Sequence, residues 1–143
     1  MYRFLEMHVA DCMTAPVVTV PPDTPLLELE QRFSQHDFNS FPVLDGGLLV
    51  GVVTKFDILK VFVFTPRSVV PHYEVLSQLR AAQIMTRDVI TFTPDTPLTR
   101  VLQTLVDFRV KSFPVVDGRR VVGIIAREDL VHALHNACSP APA

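Results

Sequence analysis

The sequence predicts an α+β fold made of two βαββα units packed face to face, and three observations predict it. The chain repeats itself: Ser40-Phe41-Pro42-Val43-Leu44-Asp45-Gly46 returns 72 residues later as Ser112-Phe113-Pro114-Val115-Val116-Asp117-Gly118. Residues 13–62 align with 85–134 without a gap, and 19 of those 50 pairs are identical. Each copy also carries the same succession of patterns, a β-branched run, a helical-period segment, two apolar runs around Asp-Gly and a last helical segment. Finally, a lone unit of this size buries too little surface to be stable, so within 143 residues the copies must share a core.

The elements follow in order. Residues 1–12 form a lead-in with Phe4, Leu5, Val9 and Cys12 apolar, which predicts a short helix. The first repeat, 13–62, opens with Met13-Thr14 and the strand Val17 to Val20; the second, 85–134, opens with Met85-Thr86 and the strand Val89 to Phe92. Pro22-Asp23-Thr24-Pro25 and Pro94-Asp95-Thr96-Pro97 then start a helix, with proline at the first helical position and Thr24 and Thr96 as N-caps. Leu26, Leu29 and Phe33, and Leu98, Val101, Leu102 and Leu105, supply the helical spacing. Phe41 to Leu44 and Phe113 to Val116 are short strands that begin at prolines, where no ladder hydrogen bond is lost. Asp45-Gly46 and Asp117-Gly118 turn the chain into Leu48 to Val53 and Arg120 to Ile125. Last helices are predicted over 54–62 and 127–134. The linker, 63–84, holds Val75, Leu79 and Ala82 at helical spacing after Pro71, and 135–143 is a tail frayed over its last five residues.

Composition narrows the function. Net charge is −2 and the pI about 6.2, so the basic footprint of a nucleic-acid-binding protein is absent. The first repeat carries three basic and six acidic residues and the second seven and six, which inclines the second toward an anionic ligand. A mean hydropathy of +0.30 suggests apolar surface buried by self-association into a homodimer. Cys12 and Cys138 form neither a metal pair nor a disulfide scaffold, and no signal or membrane segment stands out, which gives a cytoplasmic expectation. His8, His36, His72, His132 and His135 are scattered, and no glycine-rich phosphate loop or catalytic triad is evident, so no enzyme activity, metal or required cofactor is expected.

The ordered set of Met-Thr, Pro-Asp-Thr-Pro-Leu, Ser-Phe-Pro-Val-x-Asp-Gly and Val-Gly-x-x-Thr-x-x-Asp, present twice over residues 9–135, resembles a tandem pair of cystathionine-beta-synthase (CBS) domains, here as a stand-alone CBS domain-containing protein. The resemblance implies sheets packed about a pseudo-two-fold axis. It also implies clefts for an adenosine-containing ligand (AMP, ADP, ATP or S-adenosylmethionine), pairing into a four-repeat disc, and a regulatory role toward a partner protein that the sequence does not name.

Within that resemblance, Asp57 and Asp129 would take the ribose hydroxyls, since an ionised carboxylate accepts two hydrogen bonds from a vicinal diol. Thr54 would lie near phosphate, where a helix start offers unpaired N–H groups. Capping alone also accounts for Thr54 and Asp57, because Thr-x-x-Asp at a helix start is a capping box. The second copy reads Gly123-Ile124-Ile125-Ala126-Arg127-Glu128-Asp129, so the hydroxyl is replaced by Ala126 and phosphate is left to backbone and to Arg127, Lys111 or Arg109. Adenine would lie among Thr14, Val17, Val18 and Asn39-Ser40-Phe41-Pro42 in the first repeat. In the second it would lie among Thr86, Val89, Ile90 and Lys111-Ser112-Phe113-Pro114. The alternative is a structural or adaptor homodimer with vestigial clefts, which Ala126 favours.

Overall fold

The structure, a computed structural model, describes residues 2–63 and 73–138. In chain order its elements are α1 (Tyr2–Leu5), α2 (Val9–Cys12), α3 (Leu26–Gln35), β1 (Ser40–Asp45), β2 (Leu48–Thr54), α4 (Lys55–Val61), α5 (Tyr73–Gln78), α6 (Ala81–Ile84), α7 (Leu98–Phe108), β3 (Ser112–Asp117), β4 (Arg120–Ala126) and α8 (Arg127–Cys138). They divide into two compact units that cut across the sequence repeat. One is Val18–Val89; the other combines Met1–Val17 with Ile90–Ala143. Each unit is therefore one repeat completed by the segment that precedes the other repeat.

In the first-repeat unit β1 and β2 form an antiparallel hairpin from Ser40 opposite Thr54 to Asp45 opposite Leu48, with Val50 the extra residue of a bulge. Gly46 and Gly47 close it at φ 58° and 85°, the two positive angles a type I′ turn requires. Leu26 and Leu29 of α3, one turn apart, bury the apolar face of that helix against Phe41, Val43 and Val53. The Phe33 ring covers Phe41 at 4.5 Å between centroids. The second-repeat unit repeats this plan with β3, β4, Leu98 and Val101, and an edge-on Phe92–Phe113 pair at 5.0 Å. Phe4 and Val9 from the chain start are buried in its core.

Backbone hydrogen bonds join the exchanged segments to their units. Leu26 N–H donates to Leu79 O, and Ala81 and Ala82 N–H donate to Thr24 O and Pro22 O. In the other unit Leu98 N–H donates to Met7 O, and Val9 and Ala10 N–H donate to Thr96 O and Pro94 O. Farther on, Thr86 and Val52 exchange two bonds of 2.9 Å, as Thr14 and Ile124 do at 2.8 and 3.0 Å.

Several expectations are corrected by these bonds. The opening strands contract to the single parallel bridges Val20–Val43 and Phe92–Val115. Val20 N–H reaches Pro42 O and Val20 O receives Leu44 N–H, while Pro42 itself has no N–H to extend the ladder. Pro42 and Pro114 lie inside β1 and β3 rather than at their starts. Their partners Val52 and Ile124 turn their own N–H and C=O groups outward to Thr86 and Thr14, so proline interrupts nothing there. The N-caps of α3 and α7 are Pro25 and Pro97 with extended ψ, and Thr24 and Thr96 sit one residue before them. Leu79 O and Met7 O receive the first helical N–H groups instead. Thr24 and Thr96 are buried and bond within their own turns, to Pro21 O and to Thr93 N–H.

The lead-in and linker helices are each split in two, because the residues between the halves serve the opposite strand of chain: His8 bridges Pro97 and Arg80 bridges Pro25. The last helix of the second repeat continues past Leu134 to Cys138. Pro71 and the 139–143 tail lie outside the described residues.

Candidate functional site

Each unit places one carboxylate at the third position of the last helix of its repeat, α4 or α8, beside a threonine from the exchanged segment. In the first-repeat unit Thr54 caps α4. Its Oγ1 accepts the Asp57 N–H at 3.1 Å, and Asp57 Oδ2 accepts the Thr54 N–H at 2.9 Å, a complete capping box. The Thr86 hydroxyl reaches Asp57 Oδ1 and Oδ2 at 3.1 and 3.3 Å, and Lys60 Nζ stands 3.2 Å from Oδ1. The Asp57 side chain is only 2% exposed. Lys60 also lies over the Phe56 ring, 5.3 Å from its centroid.

The second-repeat unit has the same frame with fewer partners. Asp129 Oδ2 accepts the Ala126 N–H at 2.8 Å, and the Thr14 hydroxyl donates to Oδ1 at 3.2 Å. Ala126 has no hydroxyl to return, so only half of the box exists. His132 takes the place of Lys60 and Glu128 that of Phe56. Asp129 is half-buried, and desolvation holds its carboxyl above its ordinary value of 3.8 against the opposing Ala126 N–H and Thr14 hydroxyl. Nearby, burial and the Asp129 and Asp11 charges push the Cys12 thiol up to about 11, which keeps it protonated.

The other sequence-predicted residues divide into reachable and buried groups. Thr14, grouped in sequence with the first repeat, belongs to the second-repeat unit beside Asp129, and Thr86 belongs beside Asp57. Val17 and Ile90 lie half-buried in the second-repeat unit, and Val18 and Val89 half-buried in the first-repeat unit. Asn39 O and Lys111 O accept the N–H groups of Lys55 and Arg127, so both lie where α4 and α8 begin. Ser40 is buried and Ser112 half-buried. Phe41, Pro42, Phe113 and Pro114 are buried with the hairpins, and the two rings serve as core. Arg127 is exposed with Nε 3.6 Å from Glu128 Oε1, and Arg109 is the left-handed C-cap of α7 at φ 54° with its side chain exposed.

Sequence reasoning missed Lys60, His132 and Cys12. The first two carried a signal, since each stands three residues after its carboxylate and so on the same helix face. At Gly51 and Gly123 another stretch of backbone comes close: a Cβ on Gly51 would meet Met85 Sδ at 2.7 Å and Thr86 O at 2.8 Å, and one on Gly123 would meet Met13 Sδ at 2.6 Å and Thr14 O at 3.1 Å.

This architecture has counterparts among known proteins. The family profile described as CBS domain matches residues 9–63 and again 81–136, so the chain belongs to the CBS domain family as a tandem pair. An A-adding tRNA nucleotidyltransferase of Geobacter sulfurreducens is 28% identical over 88% of the chain. An L-aspartate semialdehyde sulfurtransferase of Methanocaldococcus jannaschii is 32% identical over 85% of it. The chain spans 13% and 22% of the length of these two relatives. Among solved structures, the CBS domain pair of protein MJ0100, in complex with 5′-methylthioadenosine and S-adenosyl-L-methionine, superposes with a TM-score of 0.76 at 29% identity, covering 92% of this chain and 98% of that one. Among the described residues no helix is long and apolar enough to cross a membrane, and no three metal-ligating side chains are grouped.

Proposed function

We propose that this CBS domain pair is a regulatory module that binds an adenosine-containing small molecule through its helix-start carboxylates and passes the change to a partner protein. The observation that carries the reading is the threonine–aspartate pair in each unit, which fixes a carboxylate for a vicinal diol. The MJ0100 pair, with its methylthioadenosine and S-adenosylmethionine, supports adenosine as the ligand class. The exchanged segments give a route for transmission. A ligand on Asp129 or Asp57 presses on Thr14 or Thr86, and so on the chain leading into the other repeat; it acts as a switch to the extent that it prefers one arrangement.

A thermal-shift series with 5′-methylthioadenosine, S-adenosylmethionine, AMP, ADP and ATP, with guanosine nucleotides as controls, tests the reading. A ligand at 100 times its Kd adds about 2.7 kcal/mol, which raises Tm by several degrees in a chain of this length. Flat melting curves with all adenosine ligands, from protein stripped of bound nucleotide, would sink it.

A second reading, an adaptor homodimer, draws on a different feature. Phe56, Leu59 and Val63 are 67%, 65% and 66% exposed on or just beyond α4, spaced to share one face. Sedimentation velocity decides it: the wild type should run as a dimer and Leu59→Asp as a monomer.

A further inference from the structure

The two carboxylates share a frame and differ in what else holds them. Asp57 is 2% exposed and both its oxygens face protein donors: the Thr54 N–H, the Thr86 hydroxyl and the Lys60 ammonium. The ammonium is anchored from two sides, by Asp57 Oδ1 at 3.2 Å and by the Phe56 ring at 5.3 Å, although the Lys60 side chain is 53% exposed. A ribose diol can reach Asp57 only by displacing that cation from a charge-assisted contact.

At Asp129 neither anchor exists. Glu128 replaces the ring, and its carboxylate lies by Arg127 Nε at 3.6 Å. His132 replaces the lysine and forms no ion pair with Asp129 within 4.0 Å. The carboxylate keeps two donors, the Ala126 N–H and the Thr14 hydroxyl, and stays half-exposed. Its incomplete satisfaction is a reason to accept two more hydroxyls.

We propose that the residue one turn after each carboxylate decides which site takes ligand: Lys60 closes the Asp57 site, and His132 leaves Asp129 open, so each chain binds one adenosyl ligand, in the second-repeat unit. In sequence the signals were divided, since Thr54 offered phosphate contact in the first repeat alone while the charge balance inclined the second toward an anionic ligand. It rests on the proposed function, and it makes Lys60 a specificity-determining residue.

Isothermal titration with 5′-methylthioadenosine tests it, because that probe carries the ribose diol and no phosphate. The expected result is one site per chain in the wild type, at least tenfold weaker binding in Asp129→Asn, and a second site in Lys60→Met. Because Lys60 pairs with a buried carboxylate, a cooperative thermal melt establishes that Lys60→Met is folded before its titration is read. Two sites in the wild type, one site that survives Asp129→Asn, or one site unchanged in Lys60→Met would each overturn the inference while leaving the proposed function standing. No binding by the wild type up to millimolar probe would overturn the inference, and the proposed function falls with it only if S-adenosylmethionine, AMP, ADP and ATP also fail to bind.

Discussion

At the residue scale, the glycines at the centre of β2 and β4 mark where one backbone lies against another. Thr86 O would sit 2.8 Å from a Cβ on Gly51, and this carbonyl cannot step aside, because it accepts the Val52 N–H while the Thr86 N–H donates back to Val52 O. Gly51→Ala should therefore cost about 1–3 kcal/mol of overpacking strain, read as a drop in the urea midpoint. Gly123→Ala should cost less, since its backbone contact is the looser one at 3.1 Å. Asp129 gives a pH prediction. Its folded carboxyl binds its proton more tightly than the unfolded chain does, so protonation favours folding. The destabilising share of this group is full above its folded pKa and fades as the pH falls toward 3.8. The stability of wild type relative to Asp129→Asn should accordingly rise from neutral pH down to about pH 4, measured by melts of both proteins across that range.

At the element scale, the last helices of the two repeats show what a single hydroxyl does. α4 begins with a reciprocal box, and α8 lacks the return bond because Ala126 has nothing to accept the Asp129 N–H. Ala126→Thr should restore it and stabilise the protein by about 1 kcal/mol, visible as a higher Tm. This difference was legible in sequence, since Thr54 and Ala126 stand at matched positions in matched motifs. The hairpins were legible too, because Asp-Gly between apolar runs names its own turn. The opening strands were not: β-branched residues favour extended backbone, but the number of ladder bonds depended on where Pro42 and Pro114 fell on the facing strand. The threonine caps failed for a related reason. The donor that needed a cap found a carbonyl from far along the chain, and no local pattern records that.

At the scale of the whole molecule, the repeat in sequence and the unit in space are different things. The frame of each carboxylate, its hairpin and its last helix, comes from one repeat and was readable at once. Its threonine is the second residue of the other repeat, so Thr14 and Thr86 were assigned to their sequence neighbours and are found beside the other repeat's carboxylate. The core divides in the same way. Phe4 is 2% exposed among residues numbered above 90. Phe4→Ala should cost about 3–5 kcal/mol, and hydrogen exchange should locate the loss in α7, β3, β4 and α8 while β1 and β2 keep their protection.

The exchange of segments also sets a timetable on the ribosome. A nascent chain lengthens by roughly 5–20 residues per second and folds in domains as they emerge. The unit Val18–Val89 is continuous and can close as soon as its last residue is free. Met1–Val17 emerges before it and finds its core only when β3, β4 and α8 have followed. This segment is thus made before the Val18–Val89 unit and buried after it, and Phe4 and Val9 wait through the birth of an entire neighbouring unit for the partners that cover them.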